Sequence, residues 1–228
     1  KELSDDVKDG EIHVHPMSAF DEVLLKSPDL LLSGKAIYEV FGNCIPDVLE
    51  PAELLAKDVD FLIVCLRKVS YGNDMEIYYQ HDCEDAKENK YKINLNKFIT
   101  DAKSIDPTNS DFKLTFDNGQ EVTLRPMKFK HVVEMMQNIS DETLDTAESK
   151  RQLYETFIAL IDNVDGVTDR EHIMEWISKV PVQWVNLLRE KVESVSDWGL
   201  EFTAITECKD CKCNMDMEIP LNPMSFFM

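Results

Sequence analysis

Glycine is scarce in this chain of 228 residues: there are seven, and none stands in a Gly-rich phosphate loop. His-Glu-x-x-His and Gly-x-Ser-x-Gly are missing too, so zinc-protease and serine-hydrolase chemistry have no residues to stand on. The many Asp and Glu nominate no acid–base pair by abundance alone, and a non-enzymatic protein without a small-molecule substrate is expected. Basic residues are few, with 24 Lys and Arg against 44 Asp and Glu and a formal net charge of -20. Nucleic-acid backbones and anionic membranes would be repelled over most of such a surface, which leaves proteins as the expected partners. No apolar run approaches the roughly 20 residues of a membrane span. The opening residues, Lys1 to Asp6, contain no signal-peptide core, so a cytosolic setting is expected.

What the chain does contain is enough apolar residue, 43%, for a sizeable core. Its period changes along the sequence. Residues 1–72 read as mainly helical after a short extended lead over Glu11–Pro16, in which His13 and His15 share a face as an edge decoration or, less favoured, a metal pair. Ser18 with Asp21 and Glu22 marks a capped helix start over Ala19–Lys26. Ile37, Val40, Phe41 and Cys44 recur at helical spacing, Pro51 opens a short helix, and Asp58 is expected to cap a buried helix over Val59–Val69.

The middle alternates instead. Met75–His81, Tyr91–Leu95, Phe112–Phe116 and Glu121–Arg125 read as strands, the last two joined at Asn118-Gly119, a strong hairpin signal. Four helices follow over 127–197: Phe129–Asn138, Glu142–Ile161, Asp169–Lys179 and Val182–Val195. Leu200–Thr206 and Met215–Leu221 alternate again. The expected architecture is α+β, with a helical N-terminal part (1–72), one small antiparallel sheet (73–126 and 198–228) and a four-helix insertion (127–197). Trp176 and Trp184 read as core. Met135, Met136, Met215, Met217, Met224 and Met228 read either as core filler or as an adaptable binding surface.

Six cysteines require an account. Cys44 and Cys65 lie in apolar stretches, where a thiol packs as a small hydrophobe, and a disulfide framework is the weaker reading without an export signal. Cys208-Lys209-Asp210-Cys211 falls at a strand-to-strand turn, the knuckle that lets two thiolates reach one tetrahedral zinc. His81 and Cys83 fall at another such turn and supply the opposite half. The candidate ligands are therefore Cys83, Cys208, Cys211 and His81, with Cys213 as the alternative fourth, around a structural zinc in a zinc-ribbon-like pair of knuckles. Ala86 stands where a regular second knuckle has cysteine, so a remnant with free thiols is the competing reading. A redox pair is disfavoured, because the thioredoxin-type motif opens a helix.

The order of parts resembles the T4-like bacteriophage baseplate hub family of hub subunits and hub-assembly factors. The resemblance is carried by Pro16-Met17-Ser18 with Asp21-Glu22, Asn43-Cys44-Ile45, Asp58-Val59-Asp60, and Cys65-Leu66-Arg67 running to Ser70-Tyr71-Gly72. Asn118-Gly119, the knuckle residues Cys83, Cys208 and Cys211, and Pro223 to Phe227 extend it to nearly the whole chain. It implies a late, non-enzymatic virion-assembly protein that contacts other baseplate hub or tape-measure proteins. It further implies residence in the host cytoplasm during assembly or in the tail baseplate. From the fold alone, the alternative is a zinc-ribbon nucleic-acid or transcription-associated factor. The knuckle's own Glu207, Asp210, Asp216 and Glu218 speak against that alternative.

Overall fold

The computed structural model describes residues 2–5, 7, 10–83, 87–106, 110–138, 154–219 and 226–227. They form an α+β structure with two hydrophobic cores. The helix expected over Glu142–Ile161 lies mostly outside the described residues, as do Ala86 and Pro223–Ser225.

The first core is built by the N-terminal helices. Helix α1 (Ala19–Leu25) opens with a capping box, in which Ser18 and Asp21 satisfy each other's backbone N–H groups. Helices α2 (Pro28–Leu32) and α3 (Lys35–Cys44) follow, and α3 buries Ala36, Ile37, Val40, Phe41 and Cys44, the stripe that its spacing requires. After a 3-10 turn at Pro51–Glu53 comes α4 (Ala56–Tyr71), which places Val59, Leu62, Ile63, Val64 and Leu66 in the core. Its N-cap is Leu55, so Asp58 is not the cap expected of it but lies in the first turn, where a carboxylate favours the helix dipole. Two short hairpins complete this core. β1 (Asp74–Tyr79) pairs with β2 (Asn89–Asn94), which runs into α5 (Leu95–Asp101), and β6 (Thr203–Glu207) pairs with β7 (Asn214–Glu218). Met75, Tyr91, Ile93, Met215 and Met217 point inwards.

The second core holds a three-stranded sheet, β3 (Lys113–Thr115), β4 (Glu121–Leu124) and β5 (Ile161–Val164). Residues 154–160 are helical (α7), and α8 (Arg170–Lys179) and α9 (Val182–Ser194) pack here, with Phe116 stacked on Trp184 at 4.1 Å between ring centroids. Helix α6 (Phe129–Asn138) is tied to the first 3-10 turn, where Glu53 accepts from Lys128 and Lys130.

Three further expectations need correcting. The single sheet is, among the described residues, three separate antiparallel sheets. At the tips of the two hairpins, side chains take the hydrogen bonds that strand pairing would have used: Lys209 Nζ donates to the Lys90 carbonyl, and Asp210 accepts from the Lys87 N–H and from Asn89. Ile161 does not end a helix but opens β5, because it and Val164 pair with β4 and are fully buried. Glu11–Pro16 forms no strand. Its backbone is anchored by His15 N–H to the Cys44 carbonyl and by His13 to Asp47.

Several residues that carry the family resemblance meet in the first core. The Met17 N–H donates to Ser70 Oγ, and Asn43 Nδ2 donates to Asp21. Asp21 is 3% exposed, yet its carboxyl sits below the usual carboxylate range. Burial raises it, and hydrogen bonds from Ser18, Asn43 and Cys44 together outweigh that.

Candidate metal centre

The hairpin β6–β7 turns through Cys208–Cys213. The Cys208 N–H donates to the Cys213 carbonyl and the Lys212 N–H to the Cys208 carbonyl, and Lys212 sits at φ 62° in the left-handed region. This folds Cys208 and Cys211 onto one side of the turn. Backbone N–H groups of Cys211 and Asp210 point at the Cys208 sulfur and pull its pKa down to about 6, with further help from the Cys211 and His81 side chains against its burial. Such N–H dipoles favour a thiolate before any cation is considered.

Beyond the end of β1, Cys83 N–H donates to the His81 carbonyl, a tight bend that presents both side chains to the same point. His81, Cys83, Cys208 and Cys211 converge there, with one ligand atom from each lying within 4.8 Å of all the others. His81 Nδ1 is 3.5 Å from Cys211 Sγ. Cys208 is fully buried, while Cys211 reaches the surface. The Cys83 thiol is pushed up to about 12 by burial and by its hydrogen bonds to Cys211 and Cys208. Three sulfurs this close oppose one another's ionisation, and a divalent cation among them would reverse the penalty.

These four residues can hold a metal ion. The fifth candidate, Cys213, stands apart from the group: it is exposed, and its Sγ contacts the Cys211 carbonyl at 3.8 Å. Proximity to Cys211 raises its pKa. Cys44 and Cys65 are not part of the group. Cys44 is held in the core at about 11, first by desolvation and then by Asp21, and Cys65 is raised by burial. The His13 ring lies against Asp47 at 3.1 Å, and among the described residues neither His13 nor His15 belongs to a candidate ligand group. Trp176 and Trp184 pack against the second core.

Sequence reasoning did not find the side chains that support the cage. The Lys209 N–H donates to Tyr91 Oη and the Lys209 ammonium lies 5.1 Å from the Tyr91 ring centre, so the two half-sites are bound together around β2. Only the strand alternation that makes Tyr91 inward-facing hinted at this.

Fold and site together define an α+β protein whose cysteine-rich turn is locked to a second turn by a compact ligand cage. The family of T4 bacteriophage base plate proteins matches residues 6–228, and the chain belongs to that family. No curated protein and no solved structure matches it. Among the described residues, no helix is long and apolar enough to cross a membrane.

Proposed function

We infer that the chain is a non-enzymatic baseplate hub protein or hub-assembly factor, and that it acts through contacts with other hub or tape-measure proteins. The observation that carries this reading is the family match over nearly the whole chain. The ligand cage adds a role for zinc. Three sulfurs and one imidazole suit zinc's preference for tetrahedral nitrogen and sulfur donors, and with four protein ligands a bound ion keeps no open position for substrate. Zinc here pins two hairpins that share no ladder among the described residues. The net charge of -20 supports protein partners over nucleic acid.

The test is mass spectrometry of purified virions beside tail-assembly intermediates from cells in which the gene is intact or deleted. The expected result is the chain in hub-containing particles or intermediates, and arrested baseplates in its absence. Normal baseplates without the chain, or micromolar binding of duplex DNA at physiological salt, would overturn the reading.

A further inference from the structure

We propose that the groove between the β1–β2 and β6–β7 hairpins takes up an extended, positively charged segment of a partner tail protein, which adds as a strand to the β6 edge. The proposal rests on the reading that the chain works through protein contacts and says where one of them is made.

Register identifies the open edge. Phe202 accepts from the Ile219 N–H and Cys208 donates to the Cys213 carbonyl, so the even-numbered residues of β6 exchange hydrogen bonds with β7. The N–H and C=O groups of Thr203 and Ile205 therefore point away from β7. No backbone hydrogen bond among the described residues uses them. The same logic applies to β2: Leu95 donates to the Asn73 carbonyl, which sets the odd-numbered residues of β2 against β1 and turns the backbone of Lys92 outwards. Lys92, Thr203 and Ile205 all line one groove of about 770 Å³. The hairpins meet at the ligand cage and leave this space between them. An unpaired edge beside an accessible groove is a template for strand addition.

Charge selects the occupant. Asp101, Glu201, Asp216 and Glu218 line the groove against Lys92 and Lys97, and Lys92 is already held by Asp74 at 2.8 Å. Ile205 is 72% exposed there and offers an apolar contact at the centre of the edge. Ile205 pairs with Asp216 and Thr203 with Glu218, so all four share one face: basic side chains of the added strand lay their stems along Ile205 and reach the carboxylates, while its alternate, β-branched side chains fall on the opposite face beside Ala204 and Thr206. A second copy of this chain, itself at -20, would bring like charge to an acidic groove.

The probe is a set of overlapping 12-residue peptides tiled across the tail structural proteins of the same phage, with binding to the full chain measured by fluorescence anisotropy. Bound peptides are expected to be basic and rich in Val, Ile and Thr, and to protect the Thr203 and Ile205 amides from hydrogen exchange. Ile205→Pro, which removes an outward N–H and no ladder bond, should weaken binding at least tenfold. The double variant Asp216→Lys with Glu218→Lys should do the same while changing only exposed side chains. If Ile205→Pro unfolds the chain, the double variant carries the test alone. Peptides that bind equally to all variants would overturn the groove and leave the protein-contact reading standing, as would a chain that binds no peptide but still assembles into tails. Binding of neither peptides nor tails would remove both. Self-association abolished by Ile205→Pro would make a second copy the occupant and overturn the partner assignment.

Discussion

His81 Nδ1 stands 3.5 Å from Cys211 Sγ, although 130 positions separate the two residues in sequence. That approach joins a turn after β1 to the turn between β6 and β7, and among the described residues the two hairpins share no strand pairing. Protein purified without added metal is expected to carry one zinc per chain by elemental mass spectrometry. His81→Ala, Cys83→Ser, Cys208→Ser and Cys211→Ser should each lose it, whereas Cys213→Ser should keep it. Chelation should lower the melting temperature by several degrees, because metal held by the folded state alone contributes its binding free energy to stability. Metal-free wild type, or loss of zinc in Cys213→Ser with retention in His81→Ala, would sink the assignment.

A second expectation concerns the shape of the knuckle. Lys212 adopts φ 62°, a conformation that costs an L-residue about 1 kcal/mol and glycine almost nothing. Its backbone N–H closes the turn on the Cys208 carbonyl, so the conformation is fixed by the site. Lys212→Gly should therefore stabilise the chain by roughly 0.5–1 kcal/mol in urea denaturation and leave metal stoichiometry unchanged. A variant less stable than wild type would mean that the Lys212 side chain does more than occupy space.

Much of this is legible in the sequence, and what is and is not legible has a physical basis. Local chemistry reads well: Ser18 and Asp21 make the capping box and Gly119 takes φ 86° in the expected hairpin, although Asp169, expected as the first helical residue, is instead the N-cap of α8 and accepts from the His172 N–H. The four cage residues could be listed together because each half-site is local, two ligands to a turn. Long-range choices read poorly. Alternation marks Leu200–Thr206 and Tyr91–Leu95 as strands, which the structure sets at Thr203–Glu207 and Asn89–Asn94, but it says nothing about whether their free edges meet. It also missed β5, whose short Ile161–Val164 span continues directly from a helix and gains its identity from pairing with β4. His13 and Asp47, or Arg67 and Phe226, are partners only because the chain returns on itself.

The C-terminus should contribute strongly to stability. Arg67 is 5% exposed, donates from Nε to the Phe226 carbonyl at 2.9 Å, and lies over the Tyr71 ring at 4.5 Å. Phe226 and Phe227 are buried in the first core and pack edge to face. Phe227→Ala should cost about 3–5 kcal/mol through the lost transfer energy and the cavity left behind. Arg67→Met, which keeps the stem but removes the donor, should cost about 1–3 kcal/mol. Denaturant melts of the two single variants and the double variant should show coupling, and strict additivity would mean that the tail is held independently of Arg67.

The last prediction is a pH dependence. Asp60, half-buried on α4, has its pKa raised to about 6 by desolvation, which the Lys57 ammonium offsets only in part. Lys57 cannot do more because its Nζ is engaged by the carbonyls of Ser196 and Trp198. A carboxyl that binds its proton more tightly when folded than when unfolded makes stability fall as pH rises from the unfolded value near 4 to the folded value near 6. Above that window the full penalty applies. Asp60→Asn should therefore be more stable than wild type at pH 7, by roughly 1–3 kcal/mol, and equal to it near pH 4. Asp21, with its lowered carboxyl, acts in the opposite sense, and its contribution is lost only as pH falls below the ordinary Asp range. Urea melts of both chains from pH 4 to pH 8 provide the measurement. A difference between wild type and Asp60→Asn that stays constant across the range would show that the Asp60 carboxyl ionises normally and that burial is not what α4 imposes on it.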